Sequence, residues 1–161
     1  MDTKTLLREG ARWLCAALAM ALILSHALKN RTSRAAFETV RDAVVPAALS
    51  DGMKEADVQL AKRMYGLNPA DYEGFALYAP VSNMDAEELL IVKLADPSQG
   101  EALLAAAEKR LQTQKNTFDG YGVEQTALLN DHAATQLRGN YFLFVVSEKA
   151  DAACRAFSDA L

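Results

Sequence analysis

The chain shows two kinds of hydrophobic pattern. From Trp13 to Leu28 the residues are almost continuously apolar, and basic residues stand on both sides of this run. After about residue 32, apolar residues recur at the intervals expected of helices and strands in a folded domain. The pattern therefore predicts a membrane-type segment followed by one domain.

Several helices are predicted from spacings of three and four residues. The first carries Phe37, Val40, Val44 and Ala48 on one face, and the second runs from about Glu55 to Tyr65. Gly66 follows the second helix where a left-handed cap is needed. The remaining helices are a long one that begins at Asp96 and Pro97 with an apolar face of Leu104, Ala107, Leu111 and Phe118, a short one over Val123–Leu129, and a last one capped by Ser147.

Four strands are predicted from alternation and from buried apolar runs, over Tyr72–Ala79, Leu89–Ala95, Ala133–Arg138 and Tyr141–Ser147. Gly139 and Asn140 are a two-residue hairpin signal between the last two strands. The predicted class is α+β: an N-terminal membrane helix, then a two-layer sandwich of a four-stranded, mainly antiparallel sheet with helices in the order ααββαββα.

The apolar run indicates where the domain works. Its unbroken core is about 12 residues and the full run about 16, slightly short of the roughly 17 needed to span a bilayer. We expect a retained single-pass anchor with the C-terminal domain outside the cytoplasm, or a secreted domain after cleavage near Ala27. The expected anchor residues are Trp13, Leu14, Leu18, Leu22, Ile23 and Leu24.

Three regions follow from these patterns. Residues 1–30 are the signal anchor, 31–52 a helical stalk or linker, and 53–161 the extracytoplasmic α+β domain. The domain is long enough to bury a core of its own.

Composition excludes some classes of function. A net charge of −4 and a pI near 5.2 argue against a nucleic-acid partner, which requires a basic surface. Two cysteines, Cys15 and Cys154, stand in different regions and predict no disulfide. With only two histidines and two cysteines, no metal site is expected. No glycine-rich phosphate loop is present, and no cofactor is expected.

Two sets of residues have the chemistry of a hydrolase. Asp85, Glu87 and Glu88 form the densest carboxylate cluster, which suits acid–base chemistry. His132 follows Asp131, although no nucleophile motif accompanies the pair. The structural interpretation is that the carboxylates are solvated or that Glu88 pairs with Lys93 or Arg110, and that His132 is a loop residue.

A binding groove is the other hypothesis. Arg110, Gln114, Phe118 and Tyr121 follow one another at roughly helical spacing, and Gln114 interrupts the apolar stripe of the long helix. A buried amide needs a partner. Glu88, Lys93, Arg110, Gln114 and Tyr121 are therefore the candidate binding residues, and a hydrogen bond from Gln114 that fixes the helix on the sheet is the structural alternative.

Several short motifs resemble a known family in their order and spacing. They are Tyr65-Gly66 after a helix, Asp85 to Leu89 leading into Ile91-Val92-Lys93, then Arg110, Gln114, Phe118 and Tyr121, and finally Gly139-Asn140-Tyr141. Over residues 53–161 the chain resembles small, envelope-anchored bacterial proteins catalogued as a domain of unknown function. The resemblance implies a bacterial source and an extracytoplasmic domain, and brings no activity, cofactor or catalytic residue. The chain lacks the lipid-modified cysteine of some such proteins.

The sequence therefore favours a non-enzymatic, membrane-anchored envelope domain that binds a protein, a peptide or a cell-wall component. One alternative is a hydrolase that uses the Asp85/Glu87/Glu88 cluster or His132. Another is an accessory subunit of a membrane complex, which contacts its partners through the N-terminal segment.

Overall fold

A computed structural model describes residues 12, 13, 15, 17–20 and 32–161. The chain divides at residue 31 into two compact units. The described residues of the first unit are helical. The second unit, Thr32–Leu161, contains the sheet and all the elements named below.

The second unit contains five α-helices and one short 3₁₀ turn. Their bounds are α1 Phe37–Ala48, α2 Val58–Tyr65, α3 Gln99–Phe118, α4 Val123–Asp131 and α5 Ala150–Asp159, with the 3₁₀ turn at Pro69–Asp71. Asp57 caps α2 by accepting a hydrogen bond from the Leu60 amide at 2.7 Å. Gly66 ends α2 with a φ of 70°, the left-handed cap that the sequence predicts.

One antiparallel sheet crosses the unit. Its strands are β1 Met53–Glu55, β2 Gly74–Pro80, β3 Glu88–Lys93, β4 Ala133–Arg138 and β5 Tyr141–Val146. They lie in the order β1-β2-β3-β5-β4, so β3 is central. The register of β4 and β5 runs from Arg138 opposite Tyr141 to Ala133 opposite Val146, and confirms the predicted hairpin.

Helices cover both faces of the sheet, and β3 and β5 are therefore buried along their whole length. On one face Leu90, Val92, Phe142 and Phe144 form a core with α2, α3 and α4. On the other, Leu89, Ile91, Tyr141, Leu143 and Val145 pack against α1 and α5. The α+β class is confirmed, but the predicted two-layer sandwich is wrong, since strands that are apolar on both sides need a cover on each.

The predicted strand count of four is also wrong, because β1 adds a fifth strand at the edge. No strand was predicted at Met53–Glu55, and the second helix was expected to begin at about Glu55. Its residues pair instead with β2, with Met53 opposite Pro80 and Glu55 opposite Tyr78. Lys and Glu have little intrinsic preference for strands, so this short strand depends on tertiary pairing and on the burial of Met53.

Helix α1 belongs to the folded unit, although residues 31–52 were expected to be a stalk or linker. Val40, Val44 and Ala48 are fully buried against the sheet and α5. The start of this region is also fixed: the Ser33 amide donates to Asn140 Oδ1 at 2.8 Å, and Tyr141 donates to the Ala35 carbonyl at 2.8 Å. The apolar spacing of α1 is that of a core helix.

The predicted anchor lies mostly outside the described residues, including Leu14, Leu22, Ile23 and Leu24. Of the expected anchor residues, Trp13 and Leu18 are described, and both side chains are exposed. Among the helices of the described residues, none combines the length and the apolar character required to cross a membrane.

Candidate functional site

A buried carboxylate joins three elements of the fold. Glu88 is the first residue of β3, and only 1 % of its surface is exposed. Arg110 of α3 donates to it from Nε at 3.0 Å and from Nη2 at 2.8 Å, and the Tyr65 hydroxyl at the end of α2 donates to Glu88 Oε1. A buried charge is stable only when it is paired and hydrogen-bonded. Glu88 therefore holds α2 and α3 against the central strand.

Tyr65 remains a hydrogen-bond donor at neutral pH. Burial, followed by the nearby negative charge of Glu88, raises the pKa of Tyr65 well above its ordinary value of 10. Its ring packs edge-on against Phe144 with centroids 6.3 Å apart. The hydroxyl is thereby directed at the carboxylate while the ring stays in the core.

Next to this network lies a groove with a volume of about 790 Å³, which we call the α2/α3 groove. Its walls are α2, α3, the end of β2 and the loop between β2 and β3. The residues that carry its chemistry are Lys62, Arg63, Tyr65, Asp85, Lys109, Arg110, Thr113, Gln114 and Thr117.

The wall from α3 is a regular stripe. Ala106, Lys109, Arg110, Thr113, Gln114 and Thr117 recur at alternating intervals of three and one, so they share one face of the helix. The buried stripe of the same helix is Gly100, Leu103, Ala107, Gln114 and Phe118. The predicted apolar face included Leu104, which is 38 % exposed, and missed Leu103, which is fully buried. The groove-lining face of α3 therefore lies next to the observed buried stripe, and Gln114 belongs to both.

Gln114 has no hydrogen-bond partner for its side chain among the described residues. Its residue surface is 9 % exposed, yet neither amide atom forms a hydrogen bond with a described group. Both atoms keep some accessible surface, since no fully buried side-chain nitrogen or oxygen in the described residues is unsatisfied. The expected hydrogen bond from Gln114 to the sheet is absent from the described part, and the amide borders the groove instead.

The groove also has positive charges that meet no counter-charge within the described part of the chain. Lys62, Arg63 and Lys109 form no ion pair with any described carboxylate. Arg110 uses Nε and Nη2 for Glu88, which leaves Nη1 without a described protein acceptor. Asp85 is the one acidic residue among the lining residues. An overall acidic protein thus presents a locally basic surface.

Two candidate binding residues lie elsewhere. Lys93 is at the opposite end of β3 from Glu88 and on the other face of the sheet, where it pairs with Glu73 at 2.5 Å and lies over the Tyr141 ring. The hydrogen bond with Glu73 raises the pKa of Lys93. Tyr121 follows α3, is 57 % exposed and contacts Phe118. The structure brings Glu88, Arg110 and Gln114 together, and leaves Lys93 and Tyr121 outside the groove.

The residues of the predicted hydrolase site are not grouped for catalysis. Glu88 is committed to Arg110 and Tyr65, whereas Glu87 accepts hydrogen bonds from Ser50 and Ser147. Asp85 accepts from the Glu87 amide at 3.0 Å. His132 is an exposed residue that ends α4.

A second depression, of about 600 Å³, is lined by acidic residues that include Glu87, Glu124 and Glu148. It shares Ser82 and Asp85 with the α2/α3 groove. No three histidine, cysteine or carboxylate side chains of the described residues are grouped as a metal site would require.

Comparison with known proteins gives a family. A model of the family described as "Domain of unknown function (DUF4358)" matches residues 46–147, more than half of the chain. The chain belongs to this family. No curated protein and no solved structure matches it. The matched range includes all five strands and every residue that lines the α2/α3 groove, so the groove is part of the DUF4358 domain.

The sequence interpretation missed several groove residues. Tyr65 is separated from Glu88 by 23 positions, and no local pattern links them. Lys62 and Arg63 stand in the last turn of a helix, where cations are common because they complement the helix dipole. One sequence pattern did indicate the groove. Along α3, a stripe of polar residues runs beside the stripe of apolar residues for three turns.

We expect the Tyr65–Glu88 contact to make stability fall in alkaline solution. Because the folded state raises the pKa of Tyr65, the contribution is fully present below about pH 10 and is lost as the pH rises through the folded-state value. Tyr65→Phe should lower the free energy of unfolding by about 1 kcal/mol near neutrality and reduce its decline at alkaline pH. Urea unfolding between about pH 8 and pH 11 measures both.

Burial also raises the pKa values of Tyr72, Tyr78 and Tyr141, so Tyr65→Phe should retain part of the alkaline decline. The exposed Tyr121 is the control position, and Tyr121→Phe should follow the wild-type curve. An alkaline decline that is identical in the wild type and Tyr65→Phe would contradict the assignment.

Proposed function

We propose that this protein is a non-enzymatic binding domain and that the α2/α3 groove holds its ligand. The observation that carries the proposal is Gln114, a nearly buried amide that faces the groove and has no described protein partner. Both amide atoms keep some accessible surface, so water can bond to them in the free protein. A bound ligand with matching hydrogen-bonding groups would replace that water and bond to the amide directly.

The shape of the site supports binding. Its volume of about 790 Å³ lies within the usual range of ligand sites, roughly 300–1,000 Å³. Arg110 is positioned by Glu88, and Glu88 by Tyr65, so part of the wall is rigid before a ligand arrives. A wall that is already ordered reduces the entropy lost on binding.

The geometry supports binding more than hydrolysis. General acid–base catalysis needs a carboxylate or an imidazole within reach of a substrate. Glu88 instead bonds to Arg110 and Tyr65, and His132 directly follows α4, outside the lining of the groove. Asp85 is the carboxylate that does line the groove, and one of its oxygens accepts from the Glu87 amide at 3.0 Å. The other polar side chains of the lining are cations, amides and hydroxyl groups, which recognise a ligand by charge and hydrogen bonding.

A panel of ligands tests this proposal. The full chain in an uncharged detergent would be unfolded thermally with neutral oligosaccharides, dicarboxylates, sugar phosphates, and acidic or basic peptides. We expect at least one class to raise the melting temperature, because a ligand that binds only the folded state stabilises it. The ligand should be recovered chemically unchanged.

Gln114→Leu is the matched variant for this panel. Because Gln114 has no described partner to lose, the variant should be at least as stable as the wild type without ligand, and it should lose most of the ligand-induced shift. Gln112→Leu, on the exposed side of α3, should behave as the wild type does with ligand. The proposal fails if no class shifts the melting temperature, or if Gln114→Leu retains the full shift.

We propose further that the N-terminal segment anchors this domain at a membrane, with the domain outside the cytoplasm and its ligand in the envelope. The support is the apolar run from Trp13 to Leu28 between clusters of basic residues. The accessory-subunit alternative uses the same segment and is distinguished by exchange of the anchor for an unrelated one.

A reporter that is active only outside the cytoplasm, fused after Leu161, tests the location. We expect activity in a chain that keeps its full length and sediments with membranes. Activity with a chain shortened near Ala27 would instead indicate secretion, and an inactive reporter would contradict the extracytoplasmic location.

A further inference from the structure

The charge of the α2/α3 groove selects among ligand classes. Arg110 is neutralised by Glu88, so the uncompensated charges of the lining are Lys62, Arg63 and Lys109 against Asp85. Three cations against one carboxylate leave an excess of two positive charges. Because the whole chain has a net charge of −4, this excess is a local feature and contrasts with the rest of the molecule.

An excess of two charges matches a phosphate monoester. Such a group carries about −1.5 to −2 charges near pH 7 and has three strong acceptor oxygens. A single carboxylate carries half that charge. Lysine and arginine side chains are the usual partners of phosphate, and a guanidinium such as that of Arg63 can bond to two phosphate oxygens at once.

The remaining lining suits a polyhydroxylated body attached to the phosphate. The Gln114 amide, which is unbonded by any described residue, has both donors and an acceptor and can therefore donate to and accept from a hydroxyl group. Thr113 and Thr117 donate their hydroxyl hydrogens to the carbonyls of Lys109 and Thr113, both at 2.8 Å, so their oxygens remain available as acceptors. Leu60, Met64, Pro80 and Ala106 add an apolar part. The volume also exceeds what one phosphate group fills.

We infer that the α2/α3 groove binds a phosphorylated sugar or polyol, with the phosphate at Lys62, Arg63, Lys109 and Nη1 of Arg110 and a sugar hydroxyl at the Gln114 amide. This inference rests on the proposed binding function and names the ligand class for the same groove. The ligand is held and not hydrolysed, so no bond is made or broken.

Titration calorimetry of the full chain with four related probes tests the inference. The detergent must carry no phosphate group. Glucose 6-phosphate should bind most tightly, inorganic phosphate more weakly, glucuronate more weakly still, and glucose without measurable heat. Affinity for glucose 6-phosphate should fall as salt is added, because exposed charges are screened.

Variants locate the binding site. The double variant Lys62→Ala/Lys109→Ala should weaken glucose 6-phosphate binding at least tenfold and flatten its salt dependence. The control Lys115→Ala/Arg155→Ala removes the same charge from positions outside the groove lining and should leave the affinity unchanged. Circular dichroism of each variant shows whether it is folded.

The outcomes separate the two proposals. Glucuronate or glucose binding as tightly as glucose 6-phosphate would overturn the phosphate assignment while the groove remained a binding site. Equal weakening by the groove and control double variants would show a non-specific charge effect and would also overturn it. Failure of every class in the wider ligand panel would remove the binding function itself.

Discussion

A carboxylate at the start of the central strand imposes the strongest constraint on this fold. Glu88 lies between the sheet and the helices of one face, where an unpaired charge would cost several kcal/mol. Arg110 and Tyr65 satisfy it, and each belongs to a different helix. The need to neutralise one buried charge thereby fixes the positions of both helices that form the groove.

The need to neutralise Glu88 also determines the shape of the groove wall. Because Arg110 is held by Glu88, its remaining nitrogen and the neighbouring Gln114 stand at fixed places in the groove wall. Lys62 and Lys109 extend from the same two helices into solvent. The opposite face of the sheet has a different role, since α1 and α5 cover it with an apolar layer that contains the Tyr141–Phe157 contact. Both faces thus contribute to the hydrophobic core, and the face that carries α2 and α3 also carries the groove.

Local patterns predicted much of this fold, whereas contacts between distant residues could not be read from them. The cap at Gly66 and the hairpin at Gly139-Asn140 depend on a few adjacent residues, and both are as predicted. Strand β1 depends on pairing with β2, and its own sequence gives little sign of it. The position of α1 depends on a second apolar face of the sheet. The continuous apolar sequences of β3 and β5 indicated that face, but the two-layer prediction placed no helices on it.

The residues of the candidate site were likewise predicted where a local pattern marks them and missed where only a long-range contact does. Arg110 and Gln114 were identified from their place on one helix, and Glu88 from its carboxylate cluster. Tyr65 was missed because it meets Glu88 only through the packing of α2 on the sheet. Lys93 was included as a possible partner of Glu88, which was expected to precede the strand. Glu88 is instead the first residue of β3, so alternation places Lys93 on the other face, at the far end of the strand.

Amide hydrogen exchange in Arg110→Met tests most directly whether Glu88 holds the groove together. The substitution keeps the apolar stem and removes the charge that Glu88 needs. We expect faster exchange in α2 and in the adjacent turns of α3, with α1 and α5 as protected as in the wild type. Unchanged protection of α2, or an equal loss in every element, would contradict it.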